Sequence, residues 1–139
     1  MVGTVVRLPR NGVAARRTIL VVEDEVLLRM FIADELRRAG YNVLEASNAG
    51  EALDLLSGQP VQLLFSDIRM PGPMNGVELA RAIRSQYPEI KVVLTSAESF
   101  SADHWTEYDG FFPKPCDTKR LIEHIKMLLG EEHIHGSIR

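Results

Sequence analysis

The sequence predicts an α/β fold, a doubly wound sheet of five parallel strands with helices on both faces. Three observations predict it. From Thr18 onward, short apolar runs alternate strictly with segments of helical period, the pattern of βα repeats joined by right-handed crossovers. The runs are nearly continuous in β-branched and aliphatic residues, as in Ile19-Leu20-Val21-Val22, so the strands are covered on both faces. Pro113 falls inside the last run. A proline cannot donate to a ladder, so that strand belongs at an edge.

The elements follow in order. Ile19–Val22 is the first strand. Val26–Ala39 carries Leu27, Leu28, Phe31, Ile32 and Leu36 as the apolar face of a helix, and Gly40 supplies its stop. Tyr41–Ala46 reads as the second strand. Asn48-Ala49-Gly50-Glu51 has the form of a capping box and opens a helix ending near Ser57-Gly58. Val61–Ser66 is the third strand. Asn75-Gly76 leads into a helix with Val77, Leu79, Ala80 and Ile83 as its apolar positions, ending near Tyr87-Pro88. Ile90–Thr95 is the fourth strand. Residues 99–108 are weakly helical and too short for a full helix, so the fourth helix is expected to be shortened or irregular. Gly110–Pro113 is the fifth strand. Asp117 caps a last helix bearing Leu121, Ile122, Ile125, Leu128 and Leu129, and Gly130 stops it. The first and third runs are the most apolar and take the centre. Strand order 2-1-3-4-5, the flavodoxin-like order, satisfies every constraint and sets ligands at the carboxyl ends of strands one and three.

A chain of 139 residues fits one folded unit, here residues 18–130, with a basic arm over 1–17 and a polar tail over 131–139 in which His133 and His135 are expected to be solvated. The arm holds Arg7, Arg10, Arg16 and Arg17 and no acid, so the body is strongly acidic. That excludes nonspecific nucleic-acid binding, which needs a basic surface. No apolar run approaches the roughly 18 residues that span a membrane. A single cysteine, Cys116, leaves no internal disulfide and points to the cytoplasm.

The chemistry concentrates on Asp67, a carboxylate directly after the third apolar run. Glu23, Asp24 and Glu25 follow the first run, Thr95 and Ser96 close the fourth, and Lys114 follows the fifth. Carboxylates crowded on one rim repel one another unless they bind protons or a cation. Mg²⁺, or Mn²⁺ in its place, fits that set. Asp24 and Asp67 are expected as direct ligands, Glu23 through a water, and the backbone carbonyl of Arg69 as a further donor. Asp24 and Glu25 also stand where they favour a helix dipole. Asp67 is in addition a candidate nucleophile that would carry a phosphoryl group, with Lys114 and a hydroxyl stabilising the equatorial oxygens. Strand alternation lets only one of Thr95 and Ser96 face the site.

The set Leu20-Val21-Val22-Glu23-Asp24, Asp67-Ile68-Arg69-Met70-Pro71 with Asn75-Gly76, Thr95-Ser96-Ala97 and Lys114-Pro115 resembles the receiver domain of bacterial two-component response regulators over residues 18–130. The resemblance implies that Asp67 takes a phosphoryl group from a sensor histidine kinase or a histidine phosphotransfer protein. It implies that Glu23, Asp24, Asp67 and the Arg69 carbonyl hold Mg²⁺, that Lys114 contacts the phosphoryl group and that its bond to Pro115 is cis. Ser96 then becomes the switch hydroxyl and Phe111 the switch aromatic, acting on a downstream protein target through a two-state surface. The product is a regulator rather than an enzyme, catalysing only its own phosphotransfer and dephosphorylation.

The chain departs from the family in having one extra residue in the Gly72-Pro73-Met74-Asn75-Gly76 loop and only 17 residues between Ser96 and Lys114. An aspartate-nucleophile phosphatase would need an acid two residues after Asp67, where Arg69 stands. A flavin-binding fold would need a phosphate loop where Glu23-Asp24-Glu25 repels one. A receiver-like module working without phosphorylation would be expected to lose Asp24, Asp67 or Lys114, and all three are present. Arg69 and Glu98 flank the site and are expected to pair across it.

Overall fold

The computed structural model describes residues 16–98 and 108–131. Five parallel strands, β1 (Thr18–Val22), β2 (Asn42–Ala46), β3 (Leu63–Asp67), β4 (Lys91–Ser96) and β5 (Gly110–Pro113), form one sheet in the order β2-β1-β3-β4-β5. The described helices are α1 (Val26–Arg38), α2 (Ala49–Gly58), α3 (Gly76–Gln86) and α4 (Thr118–Leu128). The expected order is therefore the observed one, and Pro113 lies on the edge strand opposite Ser96. Gly40 and Gly130 take positive φ just past α1 and α4, the left-handed stop that a side chain would strain. The expected short fourth helix, Trp105, His133 and His135 lie outside the described residues, as does most of the basic arm.

Strand alternation divides the core into two layers. Leu20, Val22, Leu64, Val92 and Leu94 pack under α2 and α3 with Ala52, Leu79 and Ile83. Ile19, Val21, Leu63, Phe65 and Val93 pack under α1 and α4 with Ile32, Leu36, Leu121 and Ile125. Both layers are fully buried, as continuous apolar strands require.

Helix α1 corrects one expectation. Leu27 and Phe31 were placed on its buried face, yet they are 81% and 52% exposed, with Val26 and Met30 beside them. The buried stripe is Ile32, Ala33 and Leu36, with Leu28 half-buried. The apolar residues of this helix cover more than one face, so periodicity alone does not say which of them meets the sheet.

Helix starts differ in kind. Asn75 and Glu78 form a reciprocal capping box on α3, each side chain accepting from the other's backbone N–H. On α2, Asn48 accepts from the Glu51 N–H at 2.9 Å, but Glu51 turns to the N–H and hydroxyl of Ser47 rather than to Asn48. The box expected there is thus closed one residue further upstream. Asp117 caps α4 as expected, accepting from Lys119 and Arg120.

Candidate phosphoryl-acceptor and metal site

The site grows from the carboxyl ends of β1, β3, β4 and β5, where the ladder continues one step beyond the strands. Glu23 N–H donates to the Ala46 carbonyl at 3.0 Å, Ile68 N–H to Thr95 at 2.9 Å and Lys114 N–H to Ser96 at 2.9 Å. Each functional side chain is therefore held by backbone pairing within a residue of a strand end. The Lys114–Pro115 peptide is cis, as the sequence led one to expect.

Gly76 fixes the loop after β3. Its N–H donates to the Ile68 carbonyl at 2.8 Å, and a Cβ at this position would overlap the carbonyl oxygen of Asp67 and the Cα of Ile68. Only a glycine lets α3 begin this close to the backbone beneath Asp67. The sequence reading used Asn75-Gly76 as a helix start and missed this second role. The signal was present in the glycine itself, which is otherwise costly in a helix.

Carboxylate oxygens of Glu23, Asp24 and Asp67 lie within 4.8 Å of one another, with Glu23 and Asp67 buried and Asp24 exposed. Lys114 Nζ bridges the buried pair, 2.8 Å from Asp67 Oδ2 and 2.9 Å from Glu23 Oε1. The second oxygen of Asp67 accepts from the Arg69 N–H at 3.2 Å, and that of Glu23 from the Glu25 N–H at 3.0 Å. Burial pushes the Glu23 carboxyl above its usual range and the Asp67 charge adds to this, against the Glu25 N–H and Lys114. Burial pulls the Lys114 ammonium down, but its hydrogen bonds to Asp67 and Glu23 outweigh that and hold it above its usual value. Two buried carboxylates and one exposed one, with a single lysine between them, leave an uncompensated negative charge. Hard oxygen donors so placed suit a divalent cation of the Mg²⁺ class.

Two further groups complete the setting. Arg29 Nη1 donates to the Glu23 carbonyl at 2.9 Å while its Nε pairs with Glu45 at 3.2 Å, tying α1 to β2 beside the acids. The sequence reading missed Arg29, since nothing in its spacing marks a contact to a carbonyl six residues back. Ser96 lines the same cleft as Asp24, Arg69 and Asn75, whereas Thr95 faces the other side of the sheet. Arg69 and Glu98 pair at 2.7 Å over the cleft, both well exposed. Phe111 is half-buried against the α2/α3 layer of the core.

Residues 19–126 match the family described as the response regulator receiver domain. The chain belongs to that family. Among curated relatives, this receiver is 35% identical to the sensor kinase CckA of Brucella abortus over 83% of its own length and 13% of the kinase's. It is 32% identical to the response regulator receiver protein CpdR of the same organism, over 81% of its length and 97% of that protein's. Among solved structures, the Thermotoga maritima response regulator TrrA in complex with Mg²⁺ and BeF superposes with a TM-score of 0.73 at 32% identity, covering 81% of this chain and 98% of that one. The Vibrio cholerae chemotaxis response regulator CheY4 gives 0.73 at 26% identity, covering 82% and 99%. Signal transduction through a receiver is therefore the family's role, and among the described residues no helix is long and apolar enough to cross a membrane.

Proposed function

We propose that the receiver unit over residues 18–130 accepts a phosphoryl group on Asp67 from a phosphohistidine of a sensor histidine kinase or phosphotransfer protein. One observation carries this reading: Lys114 bridges Asp67 and Glu23 inside a cluster of three carboxylates. An Asp67 oxygen attacks phosphorus, the P–N bond breaks, and the imidazole leaves as the neutral ring after taking a proton. Asp24, Asp67, the Arg69 carbonyl and, through a water, Glu23 would hold Mg²⁺. The ion would supply the charge that offsets the carboxylates and the incoming phosphoryl oxygens. Lys114 turns from Asp67 toward one phosphoryl oxygen, and the Ser96 hydroxyl donates to another. Phe111 follows Ser96 inward, and the edge formed by β5 and α4 carries the change to a protein target.

The exposed apolar residues Val26, Leu27, Met30 and Phe31 begin three residues beyond Glu23 and offer a protein donor a landing surface. The curated relatives include a kinase and a receiver protein, which supports a kinase as the donor. A cytoplasmic location follows from that partner.

Incubation with acetyl phosphate and Mg²⁺, followed by intact mass, tests the reading. One added phosphoryl is expected, absent without the metal and absent in Asp67→Asn. An unmodified mass under every condition would sink the acceptor role and leave a protein-interaction unit that works without phosphorylation.

A further inference from the structure

Asp24 is the least supported member of the acidic cluster. Glu23 and Asp67 are buried, and each carboxylate is held twice, by Lys114 and by a backbone N–H. Asp24 is exposed, and among the described residues its carboxylate has no hydrogen bond or ion pair. Its place is therefore set by the peptide that joins it to Glu23. The start of α1 adds no anchor, since Glu25 makes no side-chain cap bond.

Arg29 holds that peptide. Its Nη1 donates to the Glu23 carbonyl at 2.9 Å, and the Glu23 N–H donates to Ala46 at 3.0 Å. Both backbone polar groups of the residue before Asp24 are thus fixed. The Nε of the same guanidinium donates to Glu45 Oε1 at 3.2 Å, and Glu45 Oε2 accepts from Arg37 at 3.2 Å. Only 17% of the Arg29 side chain is exposed. A guanidinium offers its donors in a rigid fork, so one edge stays on the β2 carboxylate while another meets the carbonyl. An ammonium is a point donor and would follow the carboxylate. Tying α1 to β2 needs only the Glu45 pair. The bond to the carbonyl is a separate constraint, and it acts on the Glu23–Asp24 peptide.

We propose that Arg29 is a positioning residue for the cation site: by holding the Glu23 carbonyl it turns the Glu23–Asp24 peptide so that the Asp24 carboxylate completes the cluster with Glu23 and Asp67. The proposal rests on the reading of that cluster as a divalent-cation site. Charge gives it a distinctive sign. A positive group beside a cation site repels the cation, so on Coulomb grounds alone the loss of Arg29 would tighten metal binding. A positioning role weakens it.

Mn²⁺ is titrated into the full-length protein while the free ion is counted by electron paramagnetic resonance. The uptake lost in Asp24→Asn is the share of the site. Arg29→Met, which removes both bonds, is expected to weaken that uptake about tenfold or more, although it takes a positive charge away. Arg29→Lys keeps the charge and the Glu45 pair but frees the carbonyl, and is expected to weaken it about threefold or more. Glu45→Ala breaks the tie to β2 and leaves the carbonyl bond, and should stay within about twofold. In the metal-free protein, the Glu23 carbonyl carbon and Asp24 amide resonances are expected to move in both Arg29 variants and to stay in Glu45→Ala. No Asp24-dependent uptake by wild type would overturn the cation reading and this inference with it. Uptake by wild type with unchanged or tighter binding in the Arg29 variants would overturn the role of Arg29 alone. Equal weakening in Glu45→Ala would do so too, since the tie between α1 and β2 would then be the cause. Dispersed amide spectra show that lost uptake is not a lost fold, and should Arg29→Met lose its dispersion, Arg29→Lys decides.

Discussion

Thr95 and Ser96 are neighbours on β4 with opposite surroundings. Ser96 looks into a polar cleft with Asp24, Arg69 and Asn75. Thr95 looks into an apolar cavity with Leu28, Phe31 and Phe65. A one-residue step along a strand reverses the face of the sheet, so the rim is split into a polar side, which the proposed phosphoryl and metal chemistry would use, and a side for packing. Lys114 and Glu23 form the partition, since both border the apolar cavity while their charged ends meet Asp67. Backed by that hydrophobic wall, the buried charges of Glu23 and Asp67 are held by pairing with Lys114 rather than by water.

The largest effect expected from this division concerns Cys116, on the apolar side. Burial pushes its thiol up to about 11, with the charge of Asp117 adding to it. The thiolate is the reactive form, so at pH 8 Cys116 is expected to react with iodoacetamide about a hundredfold more slowly than a free cysteine. Its rate should climb with pH until about 11. Rapid labelling at pH 8 would show that burial among the neighbouring apolar residues does not hold the thiol protonated.

Gly76 is the corresponding test on the polar side. Gly76→Ala drives a methyl group into the backbone of Asp67 and Ile68, and overpacking of this kind costs about 1–3 kcal/mol. An unfolding free energy in urea lowered by that amount is expected, together with slower labelling of Asp67 by acetyl phosphate. Gly58→Ala, where nothing lies within 4 Å of the added methyl, is the control and should leave both within experimental error or slightly improve stability.

The fold was largely legible in the sequence because its signals were redundant. Alternation of runs gave the elements, the apolar centre gave β1 and β3, and Pro113 gave the edge. The acids and Lys114 were legible because each closes an apolar run, and a parallel sheet brings run ends together on one rim. What sequence did not specify were contacts decided by three-dimensional approach. Gly76 was read as a helix start, though its closeness to the Asp67 carbonyl depends on how α3 docks. Leu27 and Phe31 were assigned to the core because several apolar faces of α1 compete, and the sheet accepts only one. Strand alternation alone left Thr95 and Ser96 open, and the family resemblance favoured Ser96. The structure places Ser96 in the cleft with Asp24, Arg69 and Asn75 and Thr95 against the apolar side with Phe65 and Cys116.

That choice yields a paired prediction of intermediate size. Ser96→Ala removes a donor from the cleft and the acceptor of the Glu98 N–H, and it is expected to slow labelling of Asp67 by about tenfold and to cost about 1 kcal/mol of stability. Thr95→Val removes an unpaired buried hydroxyl and is expected to do the reverse, raising stability by about 1 kcal/mol while labelling stays within twofold. Chemical denaturation and timed mass spectrometry on both variants read the two columns of this comparison. An exchange of phenotypes would mean that the two faces had been assigned the wrong way round.

The smallest effect on stability belongs to Arg69, and it separates stability from chemistry. Arg69 and Glu98 pair at 2.7 Å, but both side chains are more than half exposed. Solvent screening leaves such a pair worth less than about 1 kcal/mol, so Arg69→Ala should shift the urea midpoint hardly at all. The pair nevertheless lines the cleft that holds Asp24 and Ser96, and the prediction is that it limits the water that reaches Asp67. Once Asp67 carries a phosphoryl group, opening that path should shorten its lifetime, and Glu98→Ala should do the same, because either change breaks the same bridge. The double variant should then match each single one rather than multiply them. An unchanged dephosphorylation rate in all three would mean that the bridge only decorates the rim and that access to Asp67 is set by the half-buried Lys114 beside it.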